Sequence, residues 1–418
     1  MKRERGIALP LPLRVFVLVN LGLTVLCLVV ELICALRGLP FRYCFPFYVG
    51  LKFYDFECFR ENFQHLHQAA FFDGGWRYVF SYPAPAAVVY AVFYKAGNAA
   101  LKVYLGFLLA GLAAVATMYA RSLRRRGVAP GSAAKYTVAV ALLAFPYWFG
   151  FERANLEFVV ILATVAGFCG LVSGRGYWAA GCFGLAASLK LLPVIYLGLF
   201  LYRRQYRQLF FGLVVLAVVT VLSLQFVGPT IGVAWRGIAH GVEEFRRTYV
   251  LQNLPGSTSW DHSLLGLLRK FVATTDRNVA IYSAGTAVTG LALFFWRIIR
   301  LPLINQVLCL SIAAVWLAPI SFEYTLMGLY GVFGMLSVAG LRFDEARLRR
   351  VMPLFVMLGI LFSPLSELIW RGVQYGGQVK CLVLGGMFLF GLRRPIFSEY
   401  DNGKSKSALT PGGRHFVL

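Results

Sequence analysis

The chain has 418 residues, of which 59% are apolar and only 14% are charged. Soluble domains carry about 45–50% apolar and about 25% charged residues, so a soluble fold of this length cannot bury so much apolar surface. The formal net charge of +23 could indicate nucleic-acid binding. However, the positive residues form short clusters between apolar blocks, which is typical of loops held on the cytoplasmic side of a membrane.

Long apolar blocks follow one another along the chain. Most approach the roughly 20 residues that a helix needs to cross about 30 Å of hydrocarbon. They lack the period-two alternation of membrane-barrel strands. The clearest blocks are residues 15–36, 103–120, 136–149, 156–172, 209–226, 279–295, 303–318 and 326–341. We predict an all-α polytopic membrane protein, a bundle of about ten to twelve transmembrane helices.

The basic clusters predict an orientation, because every strong cluster falls on the same side of the alternating blocks. The clusters lie at residues 2–5, 121–126, 203–207, 297–300, 347–350 and 393–394. We predict one transmembrane domain over residues 1–397 with cytoplasmic termini, since the first helix is too long for a cleavable signal. Residues 37–81 form a first external loop and 228–277 a second, whereas the polar tail 398–418 is cytoplasmic and disordered.

Two segments do not fit a simple count of crossings. Residues 83–120 must cross an odd number of times, yet residues 95–102 split their apolar sequence. Residues 177–202 must return to the side on which they start, yet Lys190 and Pro193 interrupt them. We predict a re-entrant or broken helix in each, and such backbone is tolerated only where it is buried or lines a cavity. The interruptions therefore indicate a site within the membrane.

The first loop contains a group of acids within an aromatic segment. Asp55 opens a stretch to Phe72 that is followed by Asp73. Apolar residues recur there at three- and four-residue spacing: Phe56, Phe59, Phe63 and Leu66. This spacing predicts an interfacial helix with one face in lipid. Asp55 is either a helix-terminal carboxylate that favours the positive end of the helix or a functional acid.

Polar residues also interrupt the apolar sequence further along the chain. Arg153, Asn155 and Glu157 open one apolar block, either as caps with an ion pair or as a functional site, because charges beside hydrocarbon are costly. Lys190 lies deep in another block, where a lysine either extends its amine to the interface or binds an anion. We favour anion binding for Lys190.

Two further polar groups belong to the external side. Glu323 and Tyr324 follow Pro319 at the start of a block, as a cap or as part of a site. The second loop contains a turn-rich run from Asn253 to Ser263, which includes His262 and suits the binding of a sugar or headgroup. A lone histidine is more often structural than catalytic. Cys44 and Cys58 fall in one external loop and could pair, which sequence alone does not decide.

Other chemistries lack their motifs. The sequence contains no P-loop, no dinucleotide-binding glycine motif, no His/Cys metal set and no nucleophile elbow. Energy coupling and redox work are therefore not expected.

The order of these features resembles the GT-C superfamily of polyprenyl-phosphate-sugar-dependent glycosyltransferases, over roughly residues 10–345. Within it, the chain is most similar to the bacterial family that includes the α-1,2-mannosyltransferases of phosphatidylinositol mannosides. A first helix leads to an external loop carrying an acid and interfacial helices. The motifs that follow are Tyr82-Pro83-Ala84-Pro85, Arg153-Ala154-Asn155-Leu156-Glu157, Ser188-Leu189-Lys190-Leu191-Leu192-Pro193, the loop at residues 253–263, and Pro319-Ile320-Ser321.

The resemblance implies metal-independent, inverting transfer of a sugar, with mannose as the first choice, from a polyprenyl-phosphate donor to a lipid or glycan acceptor. No other cofactor is implied, and the site would face outward from a bacterial plasma membrane. Asp55 would be the general base, with Asp73 and Glu323 in reserve. Lys190 or a loop arginine would neutralise the leaving phosphate. The substrate-binding candidates are Lys190, Arg60, Arg153, Asn155, Glu157, Tyr82, Asn253, His262, Ser263 and Tyr324.

The chain departs from the family pattern at three points. It has Tyr-Pro-Ala-Pro at residue 82 instead of Tyr-Pro-Pro, Glu152-Arg153-Ala154-Asn155 in place of Gly-Gln-x-Asn, and Glu323-Tyr324 where relatives often place a histidine. An alternative function, a transporter or flippase of lipid-linked saccharides, would need paired broken helices in two symmetric halves. The polar residues instead crowd into the first two thirds of the chain, which favours the enzyme. A structural scaffold leaves Lys190 and the acidic loop unexplained.

Overall fold

The computed structural model describes residues 9–39, 52–73, 78–252, 260–341, 345–370 and 373–396. In these ranges the regular structure is helical, apart from an antiparallel pair of two-residue strands, β1 (Ile369–Trp370) and β2 (Val373–Gln374). The α-helices are α1 (Leu11–Leu36), α2 (Tyr54–Glu57), α3 (Ala84–Tyr94), α4 (Ala100–Arg125), α5 (Pro130–Leu142), α6 (Phe145–Glu152), α7 (Glu157–Val172), α8 (Gly176–Leu189), α9 (Leu199–Tyr202), α10 (Tyr206–Val227), α11 (Ile231–Phe245), α12 (Leu264–Leu268), α13 (Asp276–Trp296), α14 (Leu303–Trp316), α15 (Tyr330–Gly340), α16 (Glu345–Leu361) and α17 (Gly376–Arg393). Tighter 3₁₀ segments cover Asn62–His65, Ala69–Phe72, Gly97–Ala99, Leu192–Gly198, Ile298–Arg300, Glu323–Leu329 and Pro364–Glu367, and a π-helical turn covers Arg246–Leu251.

The helix starts follow local chemistry. Helices α3, α5 and α6 have proline in the first turn, where the missing N–H group costs nothing because it would have no partner inside the helix. Helices α11, α12 and α13 begin after Thr230, Ser263 and Thr275, whose hydroxyls accept a hydrogen bond from the first turn.

Among the described residues, four helices are long and apolar enough to cross a membrane on their own: Leu11–Leu36, Gly97–Arg125, Tyr206–Val227 and Asp276–Arg300. Shorter apolar helices lie beside them, including Glu157–Val172 and Leu303–Trp316. Most side chains of the four long helices are not covered by the protein, as expected for helices that face lipid. The predicted all-α polytopic membrane fold is confirmed.

The interrupted segment around Lys190 is a helical hairpin. Helix α8 ends at Leu189, Lys190 is extended at φ −154° and ψ 125°, and Leu192–Gly198 then forms a 3₁₀ segment. Phe183 on α8 contacts the rings of Tyr196 and Phe200, at centroid distances of 5.5 and 6.3 Å. The chain therefore folds back on itself beside Lys190, which confirms the predicted broken helix.

Helix α3 resolves the other interrupted segment. Both of its ends contact the first loop, because Tyr82 lies 5.9 Å from the ring of Phe59 and Arg60 donates to the Gly97 carbonyl at 3.5 Å. Helix α3 ends at Tyr94, and α4 begins at Ala100 after a 3₁₀ turn at Gly97–Ala99, so the helix is broken as predicted. The number of times that this segment crosses the membrane stays a prediction.

The first loop folds into three short helical turns, α2, Asn62–His65 and Ala69–Phe72, instead of one continuous interfacial helix. The expectation that its apolar face lies in lipid is wrong for Phe56 and Phe59, which are buried. Phe56 stacks on Tyr104 of α4 at 4.8 Å, and Phe59 meets Phe80 edge-on at 5.1 Å. These rings join an aromatic core with α3, α6 and α10, and that core fixes the loop on the bundle.

The bundle has two chemically different ends. The Tyr104 hydroxyl near the start of α4 donates to the Asn155 carbonyl at 3.1 Å, and Arg125 ends the same helix. At 1.5 Å per residue, these two positions are about 30 Å apart, which is one hydrocarbon thickness. At the arginine end of α13, Arg297 donates to the Leu392 carbonyl at 2.9 Å, which brings two of the predicted cytoplasmic clusters together.

Candidate functional site

A backbone contact between distant segments fixes Asp55. Phe53 adopts the left-handed conformation (φ 58°) and donates its N–H to the Glu152 carbonyl at 2.6 Å. The Asp55 N–H donates to the Arg153 carbonyl at 3.0 Å. Asp55 lies in the first turn of α2, as predicted for a helix-terminal carboxylate, but α2 has no side-chain cap hydrogen bond. The Asp55 carboxylate instead faces the α6–α7 turn.

The buried Asp55 carboxylate accepts three hydrogen bonds from that turn. Arg153 donates from Nε to Oδ2 at 2.9 Å and from Nη2 to Oδ1 at 2.5 Å. Asn155 donates from Nδ2 to Oδ2 at 2.6 Å. Since each carboxylate oxygen accepts two hydrogen bonds, Oδ2 is saturated. The remaining acceptor position lies on Oδ1.

Asn155 connects Asp55 with the rest of the site. Its Oδ1 accepts from the Glu157 N–H at 2.8 Å, and its Nδ2 also lies 3.3 Å from the Tyr82 hydroxyl. Burial raises the pKa of Tyr82 well above its ordinary value, and the Asp55 charge raises it further, so this phenol stays protonated. Asn155 therefore both accepts a hydrogen bond from the first residue of α7 and donates one to Asp55.

Lys190 forms an ion pair with Glu157. The lysine side chain is 26% exposed and the glutamate side chain 8% exposed. The Lys190 amine also lies 5.2 Å from the ring centroid of Tyr324, a geometry in which a cation is attracted to the ring face. Because Glu157 follows Asn155 by two residues, this pair lies beside the Asp55 group. Lys190 keeps enough exposure to meet a second anion.

A second polar centre is completely buried. Glu323 forms an ion pair with Lys380 and accepts a hydrogen bond from the Ser366 hydroxyl at 2.6 Å. Lys380 also donates to the Ser363 carbonyl at 2.7 Å. His262 Nε2 lies 2.9 Å from a Glu323 oxygen, although it is not aligned for a hydrogen bond. The Glu323 carboxylate is thus occupied by a cation and a hydroxyl, and no cap bond from it is present.

Asp261 anchors the end of the second loop to this centre. Its Oδ1 accepts from the N–H groups of Ser263 and Ser321, both at 2.9 Å, and Arg269 lies 3.7 Å from Oδ2. Burial raises the pKa of Asp261 above its ordinary value, against the lowering effect of these hydrogen bonds. The Ser263 hydroxyl accepts from Gly266 at 2.9 Å and caps α12.

Aromatic rings connect the two centres. Trp260 donates from Nε1 to Glu367 at 2.6 Å, and its ring lies 5.8 Å from that of Phe149. Phe149 also stacks on Tyr324 at 6.2 Å. Tyr324 follows Glu323 in sequence and faces Lys190. Trp260, Phe149 and Tyr324 therefore form a row of aromatic rings between the buried centre and the Asp55 site.

The structure brings together most of the predicted site residues. Asp55, Arg153, Asn155, Glu157, Lys190, Tyr82 and Tyr324 form one cluster, which we call the carboxylate site. Glu323, His262 and Ser263 belong to the buried centre. Arg60 instead pairs with Glu57 at 2.6 Å and lies over the Tyr94 ring, while Asp73 is exposed where Ala69–Phe72 ends. Asn253 and Cys44 lie outside the described residues.

Sequence reasoning did not single out Lys380, Ser366 or Glu367. Lys380 lies within the apolar helix α17, so the argument applied to Lys190 would have identified it: a lysine inside an apolar block needs a partner. Ser366 and Glu367 follow α16 in a short 3₁₀ turn, and no pattern in the sequence predicts their contacts with Glu323 and Trp260.

The carboxylate site combines a proton acceptor with cations. Within the described ranges, Oδ1 of Asp55 keeps one acceptor position without a donor, while Lys190 and Arg153 supply positive charge. Among the described residues, no three His, Cys, Asp or Glu side chains form a group that could hold a metal ion. The arrangement suits proton abstraction beside an anionic group.

A comparison with protein families identifies the chain. The family model described as Glycosyltransferase family 87 matches residues 80–321, more than half of the chain. The match includes Tyr82, Arg153, Asn155, Glu157 and Lys190, whereas Asp55 lies before its start. No curated protein and no solved structure matches the chain. The chain belongs to glycosyltransferase family 87 and is a membrane glycosyltransferase.

Proposed function

We propose that the protein transfers a sugar, mannose in the first instance, from a polyprenyl-phosphate donor to a lipid or glycan acceptor. The transfer is inverting and metal-independent, with Asp55 as the general base. It takes place on the external face of a bacterial plasma membrane, with both termini in the cytoplasm. The observation that carries this proposal is the acceptor position on Asp55 Oδ1 that the described residues leave open, beside two cations.

The role of Asp55 follows from its hydrogen bonds. Arg153 and Asn155 hold the carboxylate in one orientation, so no reorientation of the carboxylate precedes proton transfer. An acceptor hydroxyl within hydrogen-bond reach of Oδ1 would donate its proton there, a contribution of about 10²–10⁴-fold to the rate. Asp73 and Glu323 suit this role less, because Asp73 is exposed and Glu323 is occupied by Lys380 and Ser366.

The donor phosphate would lie at Lys190. Lys190 follows the last residue of α8 at a break in the helix, and its amine is partly exposed. The amine pairs with Glu157, two residues after Asn155, and this places it near Arg153. Positive groups that are already in place stabilise the charge that develops on a leaving phosphate. The choice of mannose, of the polyprenyl chain and of a lipid or glycan acceptor comes from the resemblance described above.

Charge supports the proposed membrane side. The clusters at residues 121–126 and 297–300 lie at the end of the bundle opposite the carboxylate site. The excess of Lys and Arg in cytoplasmic loops then favours the outer side for the site. A polyprenyl-phosphate sugar in the outer leaflet would reach Lys190 without crossing the bilayer.

The test is sugar transfer by the purified protein from a panel of polyprenyl-phosphate sugars to a membrane lipid extract. We expect Asp55→Asn to lower transfer by at least about 100-fold, since the amide cannot accept the proton. Glu61→Gln is the control, because it removes an exposed carboxylate from the same loop. Both variants should unfold at the wild-type temperature within a few degrees.

Other outcomes would change the proposal in defined ways. Full activity in Asp55→Asn removes Asp55 as the base, and Asp73→Asn and Glu323→Gln then test the reserve candidates. Transfer from a nucleotide sugar, with none from any polyprenyl-phosphate sugar, overturns the donor class.

A further inference from the structure

The carboxylate site holds equal numbers of positive and negative charges. Asp55 and Glu157 carry two negative charges, and Arg153 and Lys190 carry two positive charges. Each cation is paired with one acid. A site built only to attract a phosphate would have no need of Glu157, because an acid beside the phosphate position repels the ligand.

The product state shows why this acid matters. In the proposed reaction the acceptor oxygen bonds to the sugar C1 and its proton goes to Asp55. The bond from C1 to the phosphate oxygen breaks, and its electron pair stays on the phosphate. The donor carries one negative charge on its phosphodiester, whereas the released polyprenyl monophosphate approaches two. Asp55 becomes neutral, so total charge is conserved.

This redistribution concentrates attraction on the product. With Asp55 protonated, Arg153 loses its partner and faces the doubly charged phosphate together with Lys190. Within the carboxylate site as defined above, Glu157 is then the acid that offsets their charge. Without it, two uncompensated cations in a partly buried site would hold the monophosphate far more tightly than the donor, because such charges are poorly screened.

We propose that Glu157 is the residue that releases the product: it competes with the phosphate for Lys190 and recovers the amine when the polyprenyl monophosphate leaves. Glu157 gives up Lys190 when the donor binds and re-forms the ion pair after transfer. This role rests on the proposed function, since it requires a phosphate at Lys190. The ligand is a lipid monophosphate.

The placement of Glu157 suits this role. The Glu157 N–H donates to Asn155 Oδ1 at 2.8 Å, and Glu157 is the first residue of the 16-residue helix α7. The backbone that carries the carboxylate is therefore fixed. Lys190 is the more exposed partner and lies at a backbone break, so the lysine is the member of the pair that can turn toward a ligand. The ring of Tyr324 lies beside the amine and stabilises the cation while it moves between Glu157 and the phosphate.

The experiment measures binding of farnesyl phosphate to the purified protein in detergent, with inorganic phosphate as a second probe. We expect Glu157→Gln to lower the Kd for farnesyl phosphate by about tenfold or more, because one like charge has been removed from beside the anion. Inorganic phosphate should show a similar tightening, because the removed charge acts on the phosphate group that both probes carry. Glu61→Gln is the matched control, an equal charge change outside the site, and should bind as the wild type does.

Two further measurements separate this role from a structural one. In Glu157→Gln, steady-state kcat should fall and product inhibition should strengthen, while the single-turnover rate of transfer stays near that of the wild type. The double variant Glu157→Gln/Lys190→Met restores the charge balance and should lose the tightening. A structural defect would instead slow the single turnover.

A failure of the Glu157 role can be distinguished from a failure of the proposed function. If the wild type binds farnesyl phosphate through Lys190 but Glu157→Gln binds it no more tightly, the role of Glu157 is wrong and the proposed function stands. If the wild type transfers sugar without binding any lipid phosphate, the proposed donor is wrong and this inference falls with it.

Discussion

Two lysines in apolar surroundings differ in how they are buried and paired. Lys190 lies at the end of the apolar helix α8 and Lys380 lies within α17, and each meets a glutamate. Lys190 is partly exposed at a helix break, whereas Lys380 is fully buried and also bonded to the Ser363 carbonyl. The same residue type therefore belongs to the proposed ligand site in one place and holds buried segments together in the other.

Lys380→Met should destabilise the protein strongly. The change leaves Glu323 buried without its cation, and breaking one partner of a buried pair costs about 3–5 kcal/mol. Adding Glu323→Gln should recover much of this loss, because no unpaired charge is left. Thermal unfolding in detergent measures both, with the exposed Lys102→Met as the control. Equal stability of Lys380→Met and the wild type would show that the pair carries little energy.

The sequence predicted individual site residues better than their partners. Asp55 and Lys190 stand out because a charge in an apolar surrounding is costly. The bond from Asn155 to Asp55 joins residues 100 positions apart, and no local spacing encodes it. Similarly, the spacing of Phe56 and Phe59 shows that they share a face, but the partner covering that face is the aromatic core and not lipid.

At the scale of an element, the α8 hairpin decides where Lys190 lies. Gly184 allows α8 to approach α10 closely, since a Cβ at this position would lie 2.3 Å from the Gly212 carbonyl oxygen. This approach needs a glycine for reasons of space and not of backbone conformation. The hairpin, α10 and the lysine are thus held as one unit.

Gly184→Ala should separate the hairpin from α10. Overpacking at such a contact costs about 1–3 kcal/mol, and the displaced hairpin carries Lys190, so farnesyl phosphate binding should weaken together with stability. Thermal unfolding and the binding assay measure the two effects. Gly106→Ala on α4 is the control, because its Cβ would meet nothing within 4 Å. Unchanged behaviour of Gly184→Ala would mean that α10 moves freely.

The broken helices were predictable because charged residues and proline interrupt apolar blocks in the sequence. The geometry of the breaks was not predictable. Whether Lys190 begins a re-entrant hairpin or a kink depends on the packing of Phe183 against Tyr196 and Phe200, which involves residues on both sides of the break.

At the scale of the whole molecule, composition and charge gave the fold class and an orientation. Apolar block length reflects the thickness of the membrane, and the basic clusters follow a rule that depends on loop charge alone. The Glu323–Lys380 centre draws on four separate segments, near residues 262, 323, 363–366 and 380, and for that reason it could not be predicted.

The proposed orientation can be tested by labelling cysteines in intact cells with a membrane-impermeant maleimide. We expect Gln68→Cys, in the first loop, to be labelled, and Arg204→Cys, after α9, to be labelled only after the membrane is permeabilised. Both positions are exposed, so local burial does not explain a difference. The reverse pattern would place the carboxylate site on the cytoplasmic side.

The buried Lys380 also has a consequence for how the protein is made. Helix α17 is the last helix described, and Lys380 is synthesised after Glu323. Lys380 is the fifth of the 18 residues of α17, so its insertion costs less than the about 2.5–3.5 kcal/mol of a lysine at a helix centre. Glu323, Ser363 and Ser366 offset that cost only in a bundle that has already assembled. Helix α17 should therefore be retained stably only by a correctly folded chain, which makes the ion pair a checkpoint in biogenesis.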